Sequence, residues 1–231
     1  MISILTLNLW RYYDFEKRLP NILKVIQENN PDVIFLQEVQ IDLSKSPDSQ
    51  MEILSKDFPE YKYCIHSVIY PKEFQQGVKL DKPIQHGMAV LSKYPILKSF
   101  NFFVTKNIEE EEPRSVLCFD IEKDSKVFKC SNVHFANKEE WAKNQLLELL
   151  DFIHTRKEKR ILVGDFNLFN LSEYKMLEGY TLSFDYKPYI SYPKDNGSLD
   201  YIVIPNEFAF SKLELIEDYL SDHKALFVEI E

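Results

Sequence analysis

The chain has 231 residues, 45% of them hydrophobic, so a single packed domain over residues 1–231 is the first expectation. Its 28 basic and 37 acidic residues give a formal net charge of −9, which argues against binding nucleic acid through bulk positive charge. The same balance leaves room for a local basic groove, or for a divalent metal that supplies the positive charge.

The cysteine pattern and the hydropathy pattern indicate the cellular setting. Cys64, Cys118 and Cys130 are odd in number and lack metal-ligand spacing, so we expect free thiols. The sequence shows no signal-peptide pattern and no apolar run of ~20 residues. We therefore expect a cytoplasmic protein without a membrane span.

The first elements along the chain are predicted to be a strand, a helix and a second strand. Residues 2–7 alternate as a strand does, and Asn8 follows them. A helix with an apolar stripe continues to about residue 29, but its start stays open because Pro20 is compatible only with a first turn. Residues 32–36 form a short apolar strand with Glu38 at its tip. Periodicity alone does not say whether the two strands are parallel.

The middle of the chain is predicted to alternate between strands and turns. Residues 47–58 indicate a helix with Ser46 as its cap. Residues 70–85 lack periodicity and are predicted to be a long loop, of a kind that is often functional or mobile. The glutamate-rich run 109–112 is interpreted as a solvated turn rather than a metal site. Strands are predicted over residues 61–69, 86–92, 96–104, 116–122 and 127–134.

The clearest helix covers residues 137–155, with Asn137 as cap and Glu140 three residues later. Its buried stripe is predicted to comprise Ala142, Leu146, Leu149, Leu150 and Ile153. Further strands are predicted over residues 161–165, 199–204, 208–216 and 225–230. Many hairpin-like strands with few helices favour an α/β fold in which two mainly antiparallel β-sheets pack face to face with helices outside.

One stretch, residues 161–167, joins a buried strand to two polar side chains. In an extended chain Asp165 and Asn167 point to the same side, while Phe166 points into the core. A carboxylate and an amide fixed side by side suit the orientation of a water and hydrogen bonding to a reacting group. A plain β-turn is the alternative interpretation of Gly164-Asp165-Phe166-Asn167.

Other polar residues follow apolar runs, and each has an ordinary structural interpretation when it is taken alone. A turn or a cap would explain Asn8, Asp200 and the Asp222–His223 pair. Exposure at a strand end would explain Glu38, and a backbone partner would explain a half-buried His134. Their significance therefore rests on the set rather than on any single member.

Taken in order, these segments resemble the endonuclease/exonuclease/phosphatase superfamily. The resemblance rests on Thr6-Leu7-Asn8-Leu9-Trp10, Leu36-Gln37-Glu38-Val39, Gly164-Asp165-Phe166-Asn167, Leu199-Asp200-Tyr201-Ile202 and Ser221-Asp222-His223. Residues 87–96 and Asn132-Val133-His134 are also similar to that family. The resemblance spans nearly the whole chain and implies a four-layered α/β sandwich that hydrolyses a phosphate ester with Mg²⁺ or Mn²⁺.

The resemblance also implies which residues would bind the metal. Glu38 would be the main ligand, with Asn8 beside it and Asp222 near the metal. Such a set agrees with the chemistry of Mg²⁺, which prefers oxygen ligands and needs only one or two carboxylates besides the substrate phosphate.

The resemblance implies catalytic roles for five residues. Asp165 would orient or deprotonate the attacking water, and Asn167 would hydrogen-bond the phosphoryl group. His223, held by Asp200, would stabilise phosphoryl oxygens or transfer a proton. His134 would bind phosphate or assist the leaving group.

The chain also departs from the family pattern. Ser198 stands where many members have Arg, so one contact is expected to be missing. Trp10 replaces a second acidic residue, so that strand offers no second metal ligand and its ring becomes a candidate for substrate binding. Arg114 could supply a cation at the site, although a surface salt bridge with the preceding glutamates explains it equally well.

The sequence thus favours a metal-dependent phosphodiesterase acting on a nucleic acid or a nucleotide end, working without an obligate protein partner and as a monomer. One alternative is a sphingomyelinase-like lipid phosphodiesterase, although no amphipathic segment supports it. Another is an inositol-polyphosphate phosphatase, for which Lys72, Lys79 and Lys82 are the candidate cations. A non-catalytic binding domain of the same fold is the alternative from a different class.

Overall fold

The computed structural model describes residues 1–75, 78–110 and 112–231. Its strands are β1 (Ile2–Asn8), β2 (Val33–Ile41), β3 (Tyr63–Gln75), β4 (Val78–Ser92), β5 (Ile96–Phe103), β6 (Ser115–Lys123), β7 (Lys126–His134), β8 (Ile161–Asp165), β9 (Tyr180–Leu182), β10 (Asp200–Pro205), β11 (Phe210–Ile216) and β12 (Ala225–Ile230). Its α-helices are α1 (Phe15–Asn29), α2 (Gln50–Asp57), α3 (Glu139–Thr155) and α4 (Ser183–Tyr186).

The strands form two six-stranded sheets. Their orders are β11-β12-β1-β2-β4-β3 and β5-β6-β7-β8-β10-β9. Each sheet contains one parallel pair, β1 with β2 and β7 with β8, whereas the other pairs are antiparallel. The predicted α/β fold with two mainly antiparallel sheets is therefore confirmed.

Three hydrophobic clusters stack through the molecule and define four layers. The central cluster contains inward residues of both sheets, such as Phe35 and Phe119, whose ring centroids lie 5.3 Å apart. A second cluster packs α1 and α2 on the outer face of the first sheet. A third packs α3 on the second sheet. Each sheet thus buries both faces, which explains why strands such as β8 are apolar throughout.

The helix starts differ from the expected ones. In α1, Pro20 lies in the second turn rather than the first. In α2, the cap is Ser49, whose hydroxyl accepts from the Glu52 N–H while the Glu52 carboxylate accepts from the Ser49 N–H, so the prediction of Ser46 was wrong. In α3, Lys138 takes the N-cap position, and the expected capping bond from Asn137 is not made.

The predicted loop over residues 70–85 is instead the distal half of a long hairpin. The β3 and β4 strands pair antiparallel through Lys72 with Ile84 and Phe74 with Lys79. Residues 76–77, which belong to the predicted loop, lie outside the residues that the structure describes. Periodicity failed here because this arm stands away from the core, and strand alternation is visible only where one face is buried.

In the described part of the chain, no helix has both the length and the apolar character needed to span a membrane. The three cysteines are free, as expected from their number and spacing.

Candidate functional site

The ends of the two parallel strand pairs meet at one end of the sandwich. Asn8 ends β1, His134 ends β7 and Asp165 ends β8. Because β10 runs antiparallel to β8, its first residue Asp200 lies directly beside Asp165. The segment that leads into β12 adds His223, so five polar side chains from five separate elements converge at this end.

Glu38 reaches this end through an irregularity in β2. The strand was expected to stop before Glu38, but it continues to Ile41. Its pairing with β4 shifts between Leu36 and Val39, and Glu38 has a φ of 53°. A bulge of this kind re-aims a side chain, and a left-handed backbone at a residue other than glycine is a strain that persists only when its surroundings impose it. Glu38 therefore lines the cleft from within a strand.

A buried polar layer joins the two sheets directly beneath the site. Gln37 Nε2 donates to Asn132 Oδ1 at 2.8 Å, and Asn132 Nδ2 donates to the carbonyls of Leu36 and Ala89 at 3.1 and 3.2 Å. Gly164 leaves room for this layer, because a Cβ there would lie 3.0 Å from Gln37 Nε2 and 3.2 Å from Asn132 Oδ1. Fully paired buried amides rigidify such a layer, so the residues above it have a fixed base.

Asp165 is the centre of the cluster and is almost completely buried, with 1% of its surface exposed. Its Oδ2 accepts from Asn8 Nδ2 at 3.0 Å, and its Oδ1 accepts from the Asn167 N–H at 2.9 Å. Burial raises the pKa of the Asp165 carboxyl above its ordinary range. Asn167 lies in the cleft wall beside it, while Phe166 is buried, as the alternation predicted.

His223 and Asp200 form a buried pair. His223 Nδ1 lies 2.8 Å from Asp200 Oδ2, and His223 Nε2 points toward Asp165 Oδ2 at 3.9 Å. Burial by itself lowers the pKa of His223, but the Asp200 and Asp165 carboxylates outweigh it and raise the pKa to about 10. The imidazole is therefore a cation at neutral pH.

The hydrogen bonds already made by the Asp165–Asp200–His223 cluster decide how it is interpreted. Its ligand atoms lie within 4.8 Å of one another, a spacing compatible with a metal ion. His223 Nδ1, however, is already engaged by Asp200 at 2.8 Å, and Asp165 Oδ2 already accepts from Asn8 Nδ2 at 3.0 Å. The cluster is better described as an acid–base group than as a metal site.

His134 is neutral, in contrast to His223. Burial and the neighbouring Arg114 hold its pKa well below the usual value. Its Nε2 lies 3.7 Å from Asp165 Oδ2, 3.9 Å from Glu38 Oε1 and 3.2 Å from Arg114 Nη1. The two histidines thus face the same carboxylate in opposite charge states.

Arg114 is buried behind His134 rather than paired on the surface. Its Nε donates to Glu110 Oε1 at 3.2 Å, and its Nη2 donates to Asn137 Oδ1 at 3.0 Å. Gln145 also donates to Glu110, at 3.2 Å, so Glu110 departs from the predicted solvated turn, whereas Glu109 is exposed and residue 111 lies outside the described residues. The charge of Glu110 suggested an exposed position, but its carboxylate is buried and forms an ion pair with Arg114.

Arg11 is a site residue that the sequence did not indicate. Its Nε lies 3.2 Å from Glu38 Oε2 and its Nη2 lies 3.3 Å from Glu112 Oε2. Arg11 has a φ of 53°, and the preceding Trp10 has a φ of 50°. Neither the ion pairs nor the left-handed turn has a local sequence signal, because the partners are distant along the chain.

Three residues at this end of the sandwich, Glu38, Asn8 and Asp222, offer oxygen atoms suited to a hard cation. Glu38 Oε1 is beyond hydrogen-bond distance of His134, and Asn8 Oδ1, which accepts from the Trp10 N–H at 2.9 Å, retains a second lone pair. Asp222 also lines the cleft. This donor set fits the oxygen preference of Mg²⁺. Ser198, at the position of the family arginine, donates instead to the buried Tyr189 carbonyl.

The cleft above these groups has a volume of about 1100 Å³. Its walls carry the aromatic rings of Trp10, Tyr13, Phe169 and Tyr192 and the amino groups of Lys45, Lys72 and Lys82. Two of the three lysines proposed as anion ligands, Lys72 and Lys82, thus line the cleft. The distal hairpin therefore contributes directly to the cleft wall.

Solved structures with this fold are numerous, and several cover the whole chain. An endonuclease/exonuclease/phosphatase family protein from Leptotrichia buccalis is 19% identical to this chain, with a TM-score of 0.79 over 100% of both chains. The human nocturnin catalytic domain, solved with a bound sulfate anion, is 18% identical, with a TM-score of 0.73 over 100% of this chain and 93% of its own. A humanized TDP2 from D. rerio is 16% identical, with a TM-score of 0.73 over 100% of this chain and 98% of its own.

Sequence comparison gives the family directly. An uncharacterised protein of Acanthamoeba polyphaga mimivirus is 30% identical over 185 residues, which is 72% of this chain and 67% of the viral protein. The sequence profile of the Endonuclease/Exonuclease/phosphatase family matches residues 5–223. That range starts in β1 and ends at His223, so it includes every element of the cleft described above. The chain therefore belongs to the endonuclease/exonuclease/phosphatase family.

Proposed function

We propose that this chain is a divalent-metal-dependent phosphodiesterase that acts on a nucleic acid or a nucleotide end. The observation that carries the proposal is the buried Asp165 carboxylate, which faces a cationic His223 on one side and a neutral His134 on the other. A base with an adjacent fixed cation is what water attack on a phosphate ester needs. Family membership supports the general class, phosphoester hydrolysis.

The metal would be held by Glu38 and Asn8, with Asp222 at the edge of the site. A divalent cation bound there would offset negative charge on the phosphoryl group and align the ester. Arg11 lies against the same Glu38 carboxylate at 3.2 Å. Binding a cation therefore requires Glu38 to share its charge between Arg11 and the metal.

The other catalytic roles belong to this chain's own side chains. Asp165 accepts a proton from the attacking water, and the Asn8 amide and the Asn167 N–H fix the carboxylate while it does so. Asn167 Nδ2 donates one hydrogen to the Phe135 carbonyl at 2.9 Å, which leaves the other for a phosphoryl oxygen. His223 stabilises the growing charge on the phosphoryl oxygens, and Asp200 keeps it protonated.

His134 would contact the phosphate or the leaving group through its protonated ring nitrogen, because the nitrogen that faces Arg114 accepts from the guanidinium. Its ring is held by Arg114, whose own charge is compensated by Glu110. In this proposal Arg114 does not touch the substrate but orients His134 and keeps it neutral. The arrangement uses no covalent nucleophile, since water is the attacking group.

The test compares a diester with a monoester. Bis(p-nitrophenyl) phosphate and p-nitrophenyl phosphate would be offered with Mg²⁺, with Mn²⁺ and with EDTA. We expect metal-dependent release from the diester that falls by roughly 10²-fold or more in Asp165→Asn and in His223→Gln. Asp151→Asn, an exposed carboxylate on α3, is the matched control and should keep full activity.

Each alternative outcome has a definite meaning. Turnover of the monoester alone would contradict the diester proposal and indicate a phosphatase. Diester hydrolysis that survives in EDTA would contradict the metal requirement. If neither substrate is hydrolysed by a folded protein that binds Mn²⁺, DNA and RNA ends would be screened next. A lack of hydrolysis there as well would favour a binding domain.

A further inference from the structure

Two aromatic rings project from the turn that follows the strand carrying Asn8. The Trp10 and Tyr13 ring centroids lie 4.0 Å apart with an interplanar angle of 33°. Both rings line the cleft, and Tyr13 is 59% exposed. Aromatic side chains of this size are usually buried for their apolar surface, so a tilted ring pair that leaves Tyr13 largely exposed in a polar cleft offers apolar surface to a ligand.

The turn that presents this pair is strained. Trp10, Arg11 and Asp14 have φ values of 50°, 53° and 44°. None of them is a glycine, and bulky residues rarely adopt left-handed backbone conformations. Such conformations persist only where surrounding contacts impose them, and they concentrate at ligand-binding sites.

Arg18 holds this turn in its left-handed conformation from the interior of the protein. It is fully buried, with 0% exposure, and its guanidinium donates to the carbonyls of Tyr13 at 2.8 Å, Leu220 at 2.5 Å and Arg11 at 3.2 Å. Its Cζ lies 5.7 Å from the Trp10 ring centroid. Gln50 adds a further donor to the Arg11 carbonyl at 2.7 Å. Burying a guanidinium on neutral carbonyls is costly, so the turn is rigidly built rather than left to fluctuate.

The pair is also close to the proposed chemistry. The Trp10 N–H donates to Asn8 Oδ1 at 2.9 Å, and Asn8 donates to Asp165 at 3.0 Å. A further ring, Tyr192, lies 4.6 Å from the His223 ring, centroid to centroid, and lines the same cleft. Aromatic residues therefore adjoin both Asn8 and His223, the two residues that approach Asp165 Oδ2.

We propose that the Trp10–Tyr13 pair stacks an unpaired base next to the scissile phosphate, so that the substrate is a single-stranded nucleic acid. The inference rests on the proposed phosphodiesterase function and gives its substrate class. Base stacking on aromatic rings together with a charged track for the backbone is the usual way to bind single strands without sequence preference. Lys45, Lys72 and Lys82 in the same cleft supply cations for neighbouring phosphates. A base inside a duplex is already stacked and offers no free face.

Tryptophan fluorescence can report ligand binding at Trp10 directly, because Trp10 is one of only two tryptophans. The other, Trp141, lies on α3 with the Lys138 amino group 4.1 Å from its ring centroid and does not line the cleft. In a Trp141→Phe, Asp165→Asn protein, tryptophan fluorescence reports Trp10 alone and the ligand is not cleaved. We would add hexathymidylate, a sugar–phosphate hexamer without bases, a duplex long enough to stay fully paired in the assay, and phosphocholine, each with Mg²⁺.

We expect saturable quenching by hexathymidylate, and roughly ten-fold weaker binding of the abasic hexamer without quenching. In fluorescence anisotropy with labelled hexathymidylate, Trp10→Leu should bind roughly ten-fold more weakly and Trp10→Phe should recover most of the affinity. Tyr186→Leu, an exposed tyrosine on α4, is the matched control and should bind normally.

Equal affinities for the abasic and the thymidylate hexamers would overturn the proposal, as would an unchanged Kd in Trp10→Leu. Equal binding of duplex and single strand would remove the requirement for an unpaired base. Quenching by phosphocholine alone would indicate a cationic head group held by the rings, and so a lipid substrate. Because the readout is binding to an inactive variant, a failure here is separate from a failure of diester hydrolysis, which bis(p-nitrophenyl) phosphate measures in the active protein.

Discussion

The Nδ1 atom of His223 lies 2.8 Å from the Oδ2 atom of Asp200, and both side chains are buried. The pair spans two elements, because Asp200 begins β10 while His223 precedes β12. The carboxylate raises the pKa of His223 against the opposing effect of burial. The cation at the site is therefore maintained by Asp200 rather than by the histidine alone.

Replacing Asp200 by Asn should remove that support while keeping the size of the side chain. We expect kcat for diester hydrolysis to fall by roughly 10²-fold, since a lost electrostatic partner at a reacting group has effects of this size. KM should change much less, because Asp200 is separated from the cleft by His223. Steady-state kinetics on bis(p-nitrophenyl) phosphate would measure both constants. A fall confined to KM would contradict the assignment of Asp200 as the residue that holds His223.

The Glu38→Gln variant tests the proposed metal ligand without relying on turnover. We expect Mn²⁺ affinity, measured by titration calorimetry, to weaken by at least roughly ten-fold, because a neutral amide is a poorer ligand than a carboxylate. Glu112→Gln is a matched control, since Glu112 also pairs with Arg11, at 3.3 Å. Equal weakening in both variants would mean that the charge around Arg11, and not ligation by Glu38, governs metal binding.

The sequence predicted those parts of the site that depend on local periodicity. Asp165, Phe166 and Asn167 follow a strand whose alternation gives their directions, and the structure places them accordingly. The strand pattern predicted two sheets packed face to face with helices outside, and the family resemblance implied the four layers. Polar residues at the ends of apolar runs singled out Asn8, Glu38 and the Asp222–His223 pair, whereas His134 was assigned to the site only through the family resemblance.

The features that were missed depend on distant partners. Glu38 is aimed by a bulge whose register is fixed by β4, and Arg11 is positioned by Arg18 and Gln50. The hairpin formed by β3 and β4 beyond residue 70 pairs mainly with itself, so burial gives it little pattern. In each case the determining contact joins residues that no local window contains.

Gly164→Ala should strongly destabilise the fold beneath the site. The new Cβ would lie 2.3 Å from the Val133 carbonyl oxygen, and Gly164 has a φ of +134°. Overpacking and backbone strain together predict a loss of about 3 kcal/mol in the free energy of unfolding. Gly179→Ala is the matched control, because its φ of +88° is also unfavourable but no atom lies within 4 Å of the new Cβ.

Urea denaturation of the two glycine variants separates the causes. We expect Gly179→Ala to lose only about 1 kcal/mol, from backbone strain alone. If both variants lose the same free energy of unfolding, the close approach of β7 to β8 at Gly164 does not contribute to the loss. A stable Gly164→Ala would mean that the two strands can move apart without cost.

His86 should make stability fall on the acid side of neutrality. Burial, and to a lesser extent the neighbouring Arg11, lower its pKa to about 4, and Glu112 and Asp42 oppose this only partly while Lys72 adds to it. In the unfolded chain the pKa returns to about 6.5. Between these values the unfolded state binds a proton that the folded state does not, so stability decreases as pH falls from about 6.5 to about 4.

The His86→Gln variant should lose this dependence while keeping a polar group beside Gln40, whose Nε2 lies 3.0 Å from His86 Nε2. The difference in unfolding free energy between parent and variant is expected to change by up to about 3 kcal/mol across that pH window. Urea denaturation at a series of pH values would measure it. His154→Gln, an exposed histidine on α3, should keep the slope of the parent protein. If His86→Gln keeps that slope too, His86 is not excluded from protonation in the folded state, and other buried histidines must account for acid sensitivity.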